Sequence, residues 1–219
     1  MKKSILMLFV ATSLIIASCG GNKKKELEDA KKKEDSIKSA KEKIKADSIK
    51  ALDDAIINLD KQYRGDQNGQ WVDKAEVSST YAKDRKGKEA SWSADQMIGE
   101  PDVMAYGDNG KAWASLETDK GEEWVKLFYK KPVFATEVRV RMTYNPGAIS
   151  KIEVMGNQSK PEVVWEGKDT KKYDKRMDYF VAKFEKTKSP VNAVKITLDS
   201  KAVSGWNEID AVQLVGKGK

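Results

Sequence analysis

The 219-residue chain carries 41 Lys and Arg against 34 Asp and Glu, no histidine and one cysteine. The missing histidine removes the commonest general base and metal ligand, and the single cysteine excludes an intrachain disulfide or a multi-thiolate zinc site. Of the net charge of +7, Lys2 and Lys3 supply two and residues 20–62 another two; the rest is spread thinly, with no arginine stripe among aromatics, so nucleic acid is not an expected partner.

The chain opens with "MKKSILMLFVATSLIIASCGGN". A basic start, a short apolar run from Ile5 to Ala17 and small residues before Cys19 have the form of a secretory signal, and the run is short for a membrane span. "IASC" (16–19) resembles the lipobox of bacterial lipoproteins, and the lone cysteine stands at that position. The resemblance implies a signal peptide over 1–18 and a mature N-terminus at Cys19, acylated and held on a bilayer by its lipid chains. Each buried acyl methylene contributes about 0.8 kcal/mol to such an anchor. Gly20, not aspartate, follows the cysteine. This favours the outer membrane by the same resemblance and leaves the leaflet open.

Residues 23–61 contain no proline and are rich in Lys, Glu and Ala, all good helix formers. Apolar residues recur at Ile37, Ala40, Ile44, Ala51 and Ala55, and again at Ile49, Leu52, Ile56 and Leu59, spacings that predict a thin helical stripe. Of two readings, a spacer and one strand of a coiled coil, the thin alanine-rich stripe favours a spacer, one that self-associates near Ile49–Leu59. "DSI" at 35–37 and 47–49 resembles an O-glycosylation acceptor at Ser36 and Ser48. The helix is expected to stop at "YRGDQNGQW" (63–71), a cluster of turn formers whose Arg64-Gly65-Asp66 triplet also occurs by chance. The expected division is therefore a lipidated N-terminus, spacer and linker over 19–70 and a domain over 71–219.

Beyond Trp71, short runs rich in Val, Ile, Trp, Tyr and Phe alternate with Gly, Pro, Asn and Asp clusters. They predict strands at 123–129, 136–144, 150–156, 162–167, 178–184, 192–200 and 208–216. In "TEVRVRMTY", Val138, Val140 and Met142 face one way and Arg139, Arg141 and Thr143 the other, the pattern of a sheet with one buried and one wet face. Seven strands and no long helix predict an all-β domain, a jelly-roll β-sandwich.

Three blocks, "MIGEPDVMAYGDNGKAWAS", "EEWVKLFYKKPVFATEVRVRMTYNPGAISKIEV" and "GWNEIDAVQLVG", resemble the galactose-binding-domain-like superfold of discoidin and carbohydrate-binding modules. They are most similar to its branch shared by bacterial lipoproteins, pappalysin-type proteins and F-box proteins. The resemblance spans about residues 75–216. It implies a noncatalytic binding or adhesion module for glycans, proteins or lipids, commonly with a structural calcium. Carried onto this sequence, the calcium ligands would be Asp102 in "GEPD" and Glu208 in "NEID", although Gly99-Glu100-Pro101 departs from the family's Asp-Gly-Asn loop.

Trp113, at the start of an expected "AWAS" strand, is expected to fill the core. Trp92, Tyr144 and Trp206 lie nearer expected loops, where exposed rings can stack on sugar faces. Asp108, Asn109, Asn145 and Asn207 stand close by in sequence and could bond hydroxyls. No phosphate-cradling glycine motif, nucleophile elbow or metal-ligand spacing appears. The expectation is a membrane-anchored envelope lipoprotein that binds a glycan or another envelope component without catalysis; a structural lipoprotein that joins a protein complex without recognising sugar is the alternative.

Overall fold

The computed structural model describes residues 22–156, 160–173 and 175–218. The signal peptide and Cys19 lie outside the described residues. The chain divides into two compact units, Met1–Asp47 and Ser48–Lys219. Helix α1 runs Asn22–Arg64. In the first unit residues 25–47 are exposed, Leu27, Ile37 and Ile44 among them, as is Ser36. No helix of the described residues is long and apolar enough to cross a membrane.

The second unit is the expected β-sandwich. In chain order its strands are β1 (Gly69–Trp71), β2 (Lys74–Val77), β3 (Glu122–Tyr144), β4 (Ile149–Met155), β5 (Glu162–Glu166), β6 (Asp178–Lys183), β7 (Val191–Asp199) and β8 (Glu208–Lys217). The two runs expected at 123–129 and 136–144 are one 23-residue strand, β3, that belongs to both sheets. Its first part lies between β2 and β7, with β4 and β5 beyond β7. Its second part lies between β8 and β6, with β1 beyond β8. The ladder with β7 slips between Phe128 and Val133, where Pro132 has no N–H to donate and the strand can turn from one sheet into the other. All pairings are antiparallel. β1 and β2 escape sequence reading because three or four residues show no periodicity. "AWAS" is not a strand; Trp113 makes one isolated bridge to Ile209.

The core lies between the sheets. Val125 and Leu127 from one part of β3 meet Val138, Val140 and Met142 from the other, with Ile152, Ile196, Ile209 and Leu214 around them. Trp113 is buried in this core, as expected, and its indole N–H donates to the Ser79 carbonyl at 3.1 Å. At the β3–β8 crossing Gly216 leaves no room for a side chain: a Cβ would fall on the Phe134 carbonyl oxygen and the Ala135 Cα.

The expectation of a wet outer face on β3 is overturned. Arg141 and Thr143 are fully buried and Arg139 nearly so. The last turns of α1 cover that face, with Ile56, Leu59 and Tyr63 packed on Val103, Ala112, Met177 and Tyr179. A buried arginine needs a paired charge, and the helix brings one. Arg141 Nε and Nη2 donate to the two carboxylate oxygens of Asp60 at 3.0 and 3.1 Å, and the Tyr179 hydroxyl donates to the same carboxylate at 2.7 Å. Arg139 pairs with Asp66 at 2.8 Å and lies 3.9 Å over the Tyr63 ring. The residues 56 and 59 expected to self-associate therefore close the sandwich itself. The compact unit begins at Ser48, ahead of the boundary expected at 71, and Arg64 and Asp66 of the RGD triplet are structural ion-pair partners.

Candidate functional site at the loop edge

Segment 99–112, between the 3-10 turn Ala94–Met97 and the Trp113 bridge, has no regular secondary structure, so its course is set by what holds it. The Gly99 amide donates to the Val72 carbonyl, the Gly107 amide to Thr143 and the Asn109 amide to the Glu208 carboxylate. The Asp102 and Val103 amides donate to the Asp210 carboxylate at 3.3 Å each. This segment delivers Asp108 to the edge of the sandwich.

There Asp108 meets three aromatic rings, and Tyr81, Trp92, Trp206, Asp108 and Ala114 line a small cavity of about 60 Å³. Tyr81 packs edge-on against Trp92 and Trp206, with centroids 5.2 and 5.5 Å apart. The Trp92 indole N–H donates to Asp108 Oδ1 at 2.9 Å, and that of Trp206 donates to the Ser115 carbonyl at 3.1 Å. Trp92 holds φ at 59°, a left-handed conformation that side-chain-bearing residues seldom adopt. Its amide donates to Gly110 and its carbonyl accepts from Ala114 and from the Thr80 hydroxyl, which fix the residue in place. Tyr81 is the most open of the rings, at 42% exposure.

Behind the rings Glu208 is wholly buried. Burial, and then the Asp108 carboxyl facing it, push its pKa up to about 8; the Asn109 amide acts in the opposite sense. Asp210 is pushed up to about 7 by burial, with nearby Arg141 opposing the shift.

Of the residues expected to bind a ligand, Trp92, Asp108 and Trp206 come together here. Asn109 stands behind them, its amide on Glu208 and its side-chain oxygen accepting from the Lys111 amide. Tyr144, Asn145 and Asn207 do not join the cavity lining; they build the neighbouring turn. Asn145 donates to the carbonyls of Ser204 and Trp206 and accepts from the Tyr106 hydroxyl, while Asn207 donates to the carbonyls of Asn145 and Val203. Tyr144 tilts against Tyr106 at 5.5 Å. The amide donors expected to bond sugar hydroxyls instead hold the loop that carries Trp206. Tyr81 is the member that sequence reading missed, because "SSTYAKD" has neither strand alternation nor a motif.

The expected calcium pair is not assembled. The carboxyl facing Glu208 is that of Asp108, and the charge of Asp102 acts on Asp210. Among the described residues no group of three or more Asp, Glu, Cys or His could hold a metal ion. A calcium ion needs six to eight oxygens, which Asp102 and Glu208 do not supply as a pair.

A second, larger cavity of about 910 Å³ opens beside the turn, between Asn145, Ser150, Lys168, Tyr173 and Val203. Lys171 on its rim is paired with Asp178 at 2.8 Å, and Tyr173 donates to Asp169.

Comparison with known proteins places the chain. One curated relative, F-box/LRR-repeat protein 4 of Bos taurus, is 27% identical over 106 residues, 44% of this chain and 17% of that protein. The chain thus spans a small part of that relative's length. Among solved structures, a chitosan-binding module from a chitosanase/glucanase of Paenibacillus sp. IK-5 aligns with a TM-score of 0.46 at 14% identity, over 65% of this chain and 94% of the module. An F5/8 type C domain from Bacteroides fragilis aligns with a TM-score of 0.46 at 18% identity, over 70% of this chain and all of that domain. Neither likeness carries a ligand across. Residues 63–219 match the family described as Pappalysin-1, SD scarf domain, C-terminal, and the chain belongs to that family.

Proposed function

We propose that the protein is a noncatalytic binding module of the cell envelope, anchored through lipid on Cys19, that takes a glycan at the Tyr81–Trp92–Trp206 pocket. One observation carries the reading. Three aromatic rings converge at a loop edge with both indole N–H groups already engaged by protein acceptors, so the rings offer apolar surface for a sugar face. The neighbouring Asp108 carboxylate is exposed and supplies an acceptor for a hydroxyl. Rings held by their own hydrogen bonds lose little freedom when a ligand arrives, which favours binding.

The lipid anchor, outer-membrane location and helical spacer belong to the same proposal, supported by the signal-like leader and the lone cysteine within "IASC". A structural role in a protein complex is the second reading. It is favoured by the exposed Leu27, Ile37 and Ile44 on α1, side chains that a protein partner would cover.

A glycan array probed with residues 20–219 separates the two. The first reading expects binding to a defined set of sugars that is lost in Trp206→Ala. A flat array together with a stoichiometric protein partner in an envelope pull-down, lost when Ile37 and Ile44 are changed to serine, would replace it with the second.

A further inference from the structure

The segment that brings Asp108 to the pocket is held along its first half by the end of α1. Arg64 Nε pairs with Glu100 at 3.2 Å, and Arg64 Nη2 donates to the Pro101 carbonyl. Arg141, fixed by Asp60, donates through Nη2 to the Val103 carbonyl at 3.3 Å. Val103, Tyr106 and Ala112 pack in one cluster with Ile56, Leu59 and Tyr63 of the helix. The sandwich supplies the other attachments, at Val72, Thr143, Asp210 and Glu208. A segment with no ladder of its own takes its shape from such tethers. Here Arg64 of the helix holds 100 and 101 directly, Asp60 acts on 103 through Arg141 of β3, and the next functional side chain along the chain is Asp108, the acceptor of the Trp92 indole.

We propose that the last turns of α1 are the positioning element of the pocket, with Asp60 and Arg64 as its positioning residues. Undocking the helix end releases residues 100–103, lets Asp108 drift from Trp92 and loosens the ring that faces the ligand. Coupling of this kind is reciprocal: a ligand that holds Asp108 and Trp92 in place holds the helix end down by the same free energy. A helix that would otherwise serve as a passive spacer thereby becomes part of the binding site.

The inference rests on reading the Trp92–Asp108 pocket as the binding site, but its test needs no ligand. In residues 20–219, the indole N–H resonances of Trp92, Trp124 and Trp165 are followed by two-dimensional nitrogen–proton NMR, with amide exchange at Val103 and Asn109. Asp60→Asn keeps the side-chain shape, and Arg64→Gln alters a half-exposed pair. Both variants are expected to shift or broaden the Trp92 indole signal and to speed exchange at Val103 and Asn109 at least tenfold. Trp124 and Trp165, on the far sheet, are expected to stay put. Should Asp60→Asn fail to fold, Arg64→Gln alone decides. An unmoved Trp92 signal in folded Arg64→Gln would overturn the proposal, as would equal changes at all three indoles, which would mean general loosening. An empty glycan array with a responsive Trp92 would remove the ligand and leave the coupling.

Discussion

Asp60 and Arg141 stand 81 positions apart and meet in a two-pronged ion pair of 3.0 and 3.1 Å, closed to solvent. The pair fastens the end of a charged helix to the C-terminal part of the longest strand, and the Tyr179 hydroxyl completes it. One Arg141 nitrogen, Nη1, is buried without a protein acceptor, and Asp53 Oδ1 on the helix is buried without a donor. Such a site depends on its counter-charge: a buried arginine stripped of its carboxylate is an uncompensated charge.

Removal of that carboxylate is therefore costly. Asp60→Ala is expected to lower stability by about 3–5 kcal/mol in urea unfolding of residues 20–219. A chain begun at Ser48 should unfold at the same urea concentration as residues 20–219, and one begun at Gly65 should be far less stable or fail to fold. Equal midpoints for the chains begun at Ser48 and Gly65 would show that the helix end does not belong to the domain.

Much of this was legible in the sequence. All seven expected strand runs are present, because each is long enough for its alternation to show. The outer face of β3 was not. Val-Arg-Val-Arg reads as in–out–in–out whether the arginines meet water or a carboxylate, and nothing local marks Asp60 as their partner. The helix did carry a partial signal. The stripe through Ile56 and Leu59 continues at Asp60 and Tyr63, which places an acid and an aromatic on the packing face. The pocket was half legible: Trp92, Asp108 and Trp206 stood out as loop residues. The turn that consumes Asn145 and Asn207 is a matter of tertiary contacts between residues about 60 apart.

The two acids behind the pocket make stability fall as pH rises. Glu208 and Asp210 hold their protons in the folded chain up to about pH 8 and 7, and in the unfolded chain only to the ordinary carboxylate range. The folded state therefore binds more protons across that window, and unfolding free energy decreases from about pH 5 to pH 8 before levelling. Glu208→Gln, which cannot ionise, should flatten the upper part of the slope in thermal unfolding followed against pH. A wild-type slope unchanged by the substitution would assign the effect elsewhere.

Calcium gives an independent check on the same carboxyls. Because the carboxyl facing Glu208 is that of Asp108 and burial keeps Glu208 protonated near neutral pH, millimolar calcium or a chelator is expected to leave the melting temperature unmoved at pH 7. An upward shift with calcium that disappears in Glu208→Gln would show that the ion displaces the proton and completes its shell from loop carbonyls.

The tryptophans divide by role. Trp113→Ala, which empties a core position, is expected to cost about 3–5 kcal/mol of stability. Trp206→Ala removes a half-buried ring at the edge and should cost distinctly less while removing ligand binding. Urea midpoints for the two variants check the contrast.

Calorimetric titration of residues 20–219 with the strongest array sugar, wild type beside Trp206→Ala and Tyr81→Ala, tests the binding site most directly. The account predicts saturable heat for the wild type and none for either variant, with both variants folded. Undiminished binding in both would place the ligand elsewhere on the sandwich and contradict the site proposed at Tyr81, Trp92 and Trp206.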